Sequence, residues 1–265
     1  MEFYTGTLAR EIAADLKRCG SPVSFEDLTA QKAQRREALS VAVKDATLYN
    51  FPPPTQGLAS LMILAIFERL KIHEAETFEY LHGIVEATKR AFMVRDRIVG
   101  DPALMKEQAE HYLTPDILDE LASRVSHKHA LAWPVPANRG DTVWLGAIDQ
   151  DGIAVSFIQS IYFEFGSGCV LENSGIIWQN RGSSFLLDGN GPRVLKPGRK
   201  PFTHSIRRWR CSTMGGEWSM AIWAAKVSRK ANQRCSRATR CSGKDCRRRS
   251  PRPDGCSARP GATQP

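Results

Sequence analysis

The spacing of apolar residues changes once along this chain, at Trp133-Pro-Val-Pro-Ala-Asn-Arg-Gly140, and that change constrains the fold more than any other feature. Before it, apolar residues recur at helical spacing in residues 4–16, from Ser24 onward, and in residues 58–70 and 75–99. Residues 1–130 therefore read mainly as helices. Ser24 stands where a helix cap is wanted, and Asp101-Pro102 and Thr114-Pro115 each put an oxygen-bearing side chain before a proline at a helix start. Asn50-Phe-Pro-Pro-Pro-Thr-Gln-Gly57 reads as a stiff loop. After the linker the period becomes two. Residues 142–148 and 153–163 predict strands joined by the turn Asp149-Gln-Asp-Gly152, and residues 175–178 predict another. Helices followed by consecutive antiparallel strands predict an α+β fold with helices packed on sheets.

Composition separates the end of the chain from its body. The formal net charge is +9, yet residues 203–265 hold fifteen Lys and Arg against three acids, so the preceding 202 residues carry −3. Five of the seven cysteines and three of the six tryptophans also fall in that last stretch. A basic tail suggests nucleic acid, but no aromatic residue follows Trp223 to stack on bases. Its cysteines lack the short spacing of structural zinc. Only Cys19 and Cys169 lie outside it, too few for a disulfide framework. His82 and Glu86 share a helix face, but no further ligand lies at a metal-like position. The longest apolar run, residues 58–67, is too short to span a bilayer, and the start lacks a secretory pattern. A cytoplasmic protein without a membrane partner or metal is the expectation.

Thr142 opens the first strand after the linker. A β-branched residue there has an ordinary structural explanation. A chemical one exists as well. An internal threonine hydroxyl is a poor nucleophile, but at a new chain terminus its own α-amine acts as the base. That amine has an unperturbed pKa of about 7.7–8.0, close to a working pH.

The surrounding residues decide between the two. Gly140-Asp-Thr-Val-Trp-Leu-Gly-Ala-Ile-Asp-Gln-Asp-Gly152 and Ser156-Phe-Ile-Gln-Ser-Ile-Tyr-Phe-Glu-Phe-Gly-Ser-Gly168 closely resemble the start of the small subunit in the gamma-glutamyltranspeptidase family. Phe3-Tyr-Thr-Gly-Thr-Leu-Ala9 and residues 50–60 and 86–92 are similar to the large subunit, and residues 175–185 and 197–202 to the small one. Gln159-Ser-Ile-Tyr-Phe-Glu-Phe165 fits best the bacterial branch that includes cephalosporin acylases. The resemblance covers about residues 3–202. It implies part of an αββα sandwich of the N-terminal-nucleophile hydrolase type. It also implies self-cleavage between Asp141 and Thr142, with residues 1–141 the end of a large subunit and residues 142–202 the start of a small one. The implied activity is acyl transfer or hydrolysis of gamma-glutamyl amides such as glutathione, with Thr142 as nucleophile, Ser160 orienting it, and no cofactor. Tyr162, Arg181 and Ser184 occupy positions that are Asn, Gln and Asp in typical members, where they hold the substrate's α-amine. A cation and a lost carboxylate disfavour an ammonium ligand, so an amine-free acyl group such as glutaryl comes into consideration. The family's carboxylate-gripping arginine of the large subunit lies before the residues present here.

After Phe202 the resemblance stops. Family members continue with a segment like Thr-Leu-Asn-Pro-Ala-Leu and later Met-Gly-Gly-Glu-Gly-Gln-Pro-Gln. If each new codon takes the third base of one residue and two of the next, residues 203–210 and 222–230 can encode both segments in one shifted frame. At Trp223-Ala224 the shifted codon can only be glycine. A one-base slip near the codon for Phe202 is therefore expected, with residues 203–265 an aberrant, disordered tail. Thr213-Met-Gly-Gly216 is then a decoy for the family's oxyanion glycines. Little or no turnover is therefore expected of these residues alone, and the opposing expectation is a catalytically silent, frame-shifted remnant with at most incidental nucleic-acid binding by the basic tail.

Overall fold

The computed structural model describes residues 2–133, 143–151, 153–203, 208–212 and 218–220. The chain divides into two units, Met1–Val227 and Ser228–Pro265, and the second lies outside the described residues.

Three helices come first: α1 (Glu2–Thr5), α2 (Thr7–Arg18) and α3 (Phe25–Ala30). Ser24 caps α3 as its sequence predicts. Its hydroxyl accepts from the Asp27 N–H while the Asp27 carboxylate accepts from the Ser24 N–H, which satisfies two otherwise orphaned donors. The next segment departs from the helical expectation. Strands β1 (Leu39–Val43) and β2 (Ala46–Asn50) form an antiparallel hairpin across Lys44-Asp45, with Val43 opposite Ala46. Leu39, Val41, Ala46 and Leu48 point inward at alternate positions.

Helix α4 (Gly57–Arg69) is apolar on every face until Glu68, so it has to be buried. It packs against α5 (Phe78–Ile98), α6 (Pro115–Ser123), β1 and β2. Leu58, Leu61, Met62, Ile63 and Ile66 are enclosed there with Leu39, Leu48, Ala87, Ala91 and Leu118. The expected helix start at Asp101-Pro102 is a short 3₁₀ turn, Pro102–Leu104, with the Asp101 carboxylate accepting from the Ala103 N–H.

Beyond the linker, β3 (Val143–Ile148) and β4 (Ala154–Gln159) form a separate two-stranded sheet. Val143, Leu145, Val155 and Phe157 share one face of it, and all four are exposed. The second strand ends four residues short of the expected Phe163. The strand expected at 175–178 contributes only an isolated bridge, Val170 to Ile177. Positive φ at Gly166, Gly168 and Gly175 turns the chain out of an extended path there.

Two short stretches of the segment expected to be disordered are extended. β5 (Arg208–Ser212) pairs with β2, and β6 (Trp218–Met220) pairs with β5, giving a four-stranded antiparallel sheet ordered β1-β2-β5-β6. A free strand edge offers its N–H and C=O groups to any extended backbone, whatever its side chains. The remainder of that segment, apart from Thr203, lies outside the described residues.

Residues on either side of the linker are interlocked. Leu171 completes a second core with Ala9, Ile12, Leu16 and Leu28. Asn173 donates from its backbone N–H and its side-chain amide to the buried Asp15 carboxylate at 3.1 and 3.2 Å. Arg193 donates to the carbonyls of Val99 and Arg95 at 2.7 and 3.0 Å. The Phe202 ring lies under the Arg193 guanidinium, 4.3 Å from its centroid.

Candidate active site

The β3–β4 turn is set by Asp149, whose Oδ1 accepts from the N–H groups of Asp151 and Ile153 at 3.0 and 2.8 Å. This fixes the register, with Leu145 opposite Phe157 and Val143 opposite Gln159. Thr142 is bonded to Val143, and Ser160 follows Gln159. Thr142 and Asp141 themselves lie outside the described residues.

Ser160 is half-buried just past the end of β4. Its hydroxyl accepts from the Tyr162 N–H at 3.0 Å, and its carbonyl accepts from an Arg181 Nη at 3.4 Å. Tyr162 has φ +83°, in the region normally left to glycine. A bulky residue held there is strained, and such strain collects at functional sites. The chain reverses at that point and runs back past a 3₁₀ turn, Arg181–Ser184. Asn180 ties the two runs together. Its N–H donates to the Ile161 carbonyl at 3.2 Å, and its Oδ1 accepts from the Phe163 N–H at 3.1 Å. The Arg181 N–H donates to the Gln179 side chain. The Arg181 guanidinium lies 5.0 Å from the Tyr162 ring centroid. Burial pushes its pKa below the ordinary guanidinium value, and Tyr162 opposes that shift. Three residues further, the Ser184 hydroxyl is enclosed and has no hydrogen-bond partner among the described residues.

Ser160, Tyr162, Arg181 and Ser184 are therefore gathered by one pair of adjoining segments. Asn180, which holds the segments together, has no signal in composition or spacing. Its role emerges only once the chain has turned back. The pair His82 and Glu86 serves other ends. His82 Nε2 meets the Ser126 carbonyl at 2.7 Å, while Glu86 binds Lys89 and the Leu131 N–H. Among the described residues, no three His, Cys, Asp or Glu side chains gather to hold a metal ion. No helix among them is long and apolar enough to cross a membrane.

The family model described as Gamma-glutamyltranspeptidase matches residues 1–207, a stretch that contains all of these positions. The chain belongs to the gamma-glutamyltranspeptidase family. Within this family of enzymes it is 46% identical over 200 residues to an oxamate amidohydrolase proenzyme of Klebsiella pneumoniae, a match covering 76% of this chain and 38% of that protein. It is 34% identical over 238 residues to the glutathione hydrolase-like YwrD proenzyme of Bacillus subtilis, covering 86% of this chain and 45% of the relative. The solved structure of cephalosporin acylase from Bacillus halodurans superposes with a TM-score of 0.72 at 33% identity, over 80% of this chain and 39% of that one. The chain thus spans less than half the length of these relatives in the gamma-glutamyltranspeptidase family.

Proposed function

We propose that this chain carries part of an amide-cleaving acyl-transfer centre whose nucleophile is Thr142, freed by scission of the Asp141–Thr142 bond. One observation carries the reading. The β3–β4 register puts Val143, the neighbour of Thr142, opposite Gln159, the neighbour of Ser160. A hydroxyl at Ser160 is then available to orient the nucleophile. The Klebsiella and Bacillus relatives are both named as proenzymes, which agrees with processing.

In this mechanism the freed Thr142 amine takes the hydroxyl proton as the oxygen attacks the amide carbonyl. The tetrahedral intermediate collapses to an ester, and the leaving amine departs with that proton. Water or an acceptor amine, deprotonated by the same α-amine, then attacks the ester and releases the acyl group. The substrate is a gamma-glutamyl amide such as glutathione, or a small carboxylate-bearing amide like the oxamate of the Klebsiella relative's name. Residues 1–141 and 142–202 act as large-subunit and small-subunit pieces of a partial αββα sandwich. Helix α4, packed on both α5 and the β1–β2 hairpin, and the separate β3–β4 sheet support that arrangement.

The test is direct. The 265-residue chain is expressed, its mass spectrum is searched for pieces 1–141 and 142–265, and anilide substrates are assayed. Thr142→Ala is expected to remain one chain and to lose all turnover. A Thr142→Ala chain that still hydrolyses the anilides would exclude this nucleophile. A second reading, the frame-shifted silent remnant, draws on the family match ending at residue 207 and on the family segments hidden in the other frame. Resequencing the codons around Phe202 separates the two readings. An uninterrupted frame in independent reads ends the remnant account.

A further inference from the structure

Two thiols that the acyl-transfer reading does not use meet across the linker. Cys19 stands at the C-terminal cap of α2, and Cys169 lies in the segment that follows β4. Three neighbouring pairs hold those two stretches against each other. Leu16 and Leu171 share a core, the Asp15 carboxylate accepts from Asn173, and an Arg18 Nη lies 3.7 Å from a Glu172 carboxylate oxygen. Next in that series, the Cys19 and Cys169 thiols are close enough to act on each other through a side-chain hydrogen bond. Both backbones are anchored there. The Cys19 N–H donates to the Asp15 carbonyl at 3.0 Å, and the Cys169 carbonyl accepts from the Trp178 N–H at 2.9 Å. Cys19 is exposed and Cys169 half-buried, so a small reagent reaches the pair. Two cysteines are too few for a framework of bridges, but a single bridge needs only two held in contact. Partial loss of hydration and the hydrogen bond with Cys169 raise the Cys19 pKa above its ordinary 9.0, and Arg18 opposes the shift. At neutral pH the Cys19 thiol therefore rests protonated.

We propose that Cys19 and Cys169 are a redox modification site, a reversible disulfide that staples the two sides of the linker together. Small-molecule disulfides close it and small thiols open it. The Cys19 thiolate attacks one sulfur of the small disulfide, whose S–S bond breaks and releases a thiolate. The Cys169 thiolate then attacks the Cys19 sulfur of the mixed disulfide and releases the second. The two cysteines lose two protons and two electrons, and the small disulfide takes them up to become two thiols. The staple does not depend on scission of the Asp141–Thr142 bond. After scission it becomes a covalent link between the two pieces.

The full chain is equilibrated with 2-hydroxyethyl disulfide and 2-mercaptoethanol at a series of ratios. These reagents carry no amide for the chain to cleave. The mixtures are quenched in acid, alkylated, digested with trypsin and read by mass spectrometry. Trypsin cuts after Arg18, Lys32, Arg139 and Arg181, so the staple appears as residues 19–32 joined to residues 140–181, or to 142–181 once scission has occurred. The five cysteines from Cys211 onward serve as internal competitors. The ratio at half-closure is expected to give an effective thiol concentration at least about tenfold above the millimolar value of flexibly tethered groups. Unfolding in urea should abolish that excess. In Cys19→Ser, a change at an exposed position, residues 140–181 should carry the small thiol instead of residues 19–32. Capping of both thiols without the joined peptide overturns the proposal. So does an effective concentration no higher than in urea, or a Cys19 shared out among the later cysteines. A staple in a chain that is never cut leaves this site standing and removes the nucleophile. A cut chain whose 142–181 peptide never carries residues 19–32 does the reverse.

Discussion

Glu86 is 1% exposed on α5, and its two oxygens are both used. One accepts from Lys89 Nζ at 2.6 Å and the other from the Leu131 N–H at 3.1 Å, while the same ammonium donates to the Leu131 carbonyl at 2.6 Å. The pair thereby holds the chain where it enters the linker. Burial opposes ionisation of Glu86, but Lys89 and the Leu131 N–H outweigh it and hold the carboxyl below its ordinary value of 4.5. Between the folded and unfolded values the unfolded chain binds more protons, so stability rises with pH there. The contribution is complete above pH 4.5 and is lost as pH falls through the lower folded value. Glu86→Gln is expected to flatten that acid limb and to lower stability by about 3 kcal/mol, because it strands a buried ammonium. Urea unfolding at pH 7 and at pH 4 checks both. Little of this was legible in the sequence. The spacing of His82 and Glu86 marks a shared helix face, but Leu131 reaches Glu86 only through the fold. Tyr162, Arg181 and Ser184 were legible as departures from a family pattern, but the backbone turn that brings their segments together required coordinates.

Among the elements, α4 depends on a close approach at its first residue. A Cβ on Gly57 would lie 2.1 Å from the Phe51 carbonyl oxygen, a backbone atom that no side-chain rotation can move aside. Gly57→Ala should therefore cost at least about 2 kcal/mol. Gly83→Ala on α5 meets the Ile72 Cδ1 tip at 2.6 Å, which can swing aside, and it gains helix propensity of about 0.5–1 kcal/mol. It should be much milder, as paired thermal melts will show. Helices α3, α4 and α5 were readable because long periodic runs and a capping box act locally. The β1–β2 hairpin was overlooked because five-residue strands give too few alternations to stand out beside helices. Thr114-Pro115 does start a helix, α6, with Thr114 at the cap position, although the Thr114 hydroxyl donates backward to the His111 carbonyl at 2.9 Å rather than capping a helix N–H. A two-residue signature cannot choose between those partners.

Across the whole molecule, contacts over the Asp141–Thr142 bond outnumber the one covalent link. Leu171 sits in the core of α2 and α3, Lys200 donates from its N–H to Asp101 at 2.9 Å, and Gln56 and Thr203 share a backbone hydrogen bond of 3.1 Å. After scission, pieces 1–141 and 142–265 are expected to co-elute on size-exclusion chromatography and to separate only in denaturant. Separation in plain buffer would contradict this interlocking. Helices α2 to α6, the β3–β4 hairpin and the family itself could be read from local patterns. The ties between distant segments could not, since they join residues 99 to 158 positions apart. The side of the β3–β4 ribbon that carries Val143, Leu145, Val155 and Phe157 has no cover among the described residues. Greasy stripes of this kind seek one another as molecules crowd. Strong solutions will therefore draw the ribbon into clumps and hide the neighbourhood of Thr142, so its chemistry is best sought at high dilution.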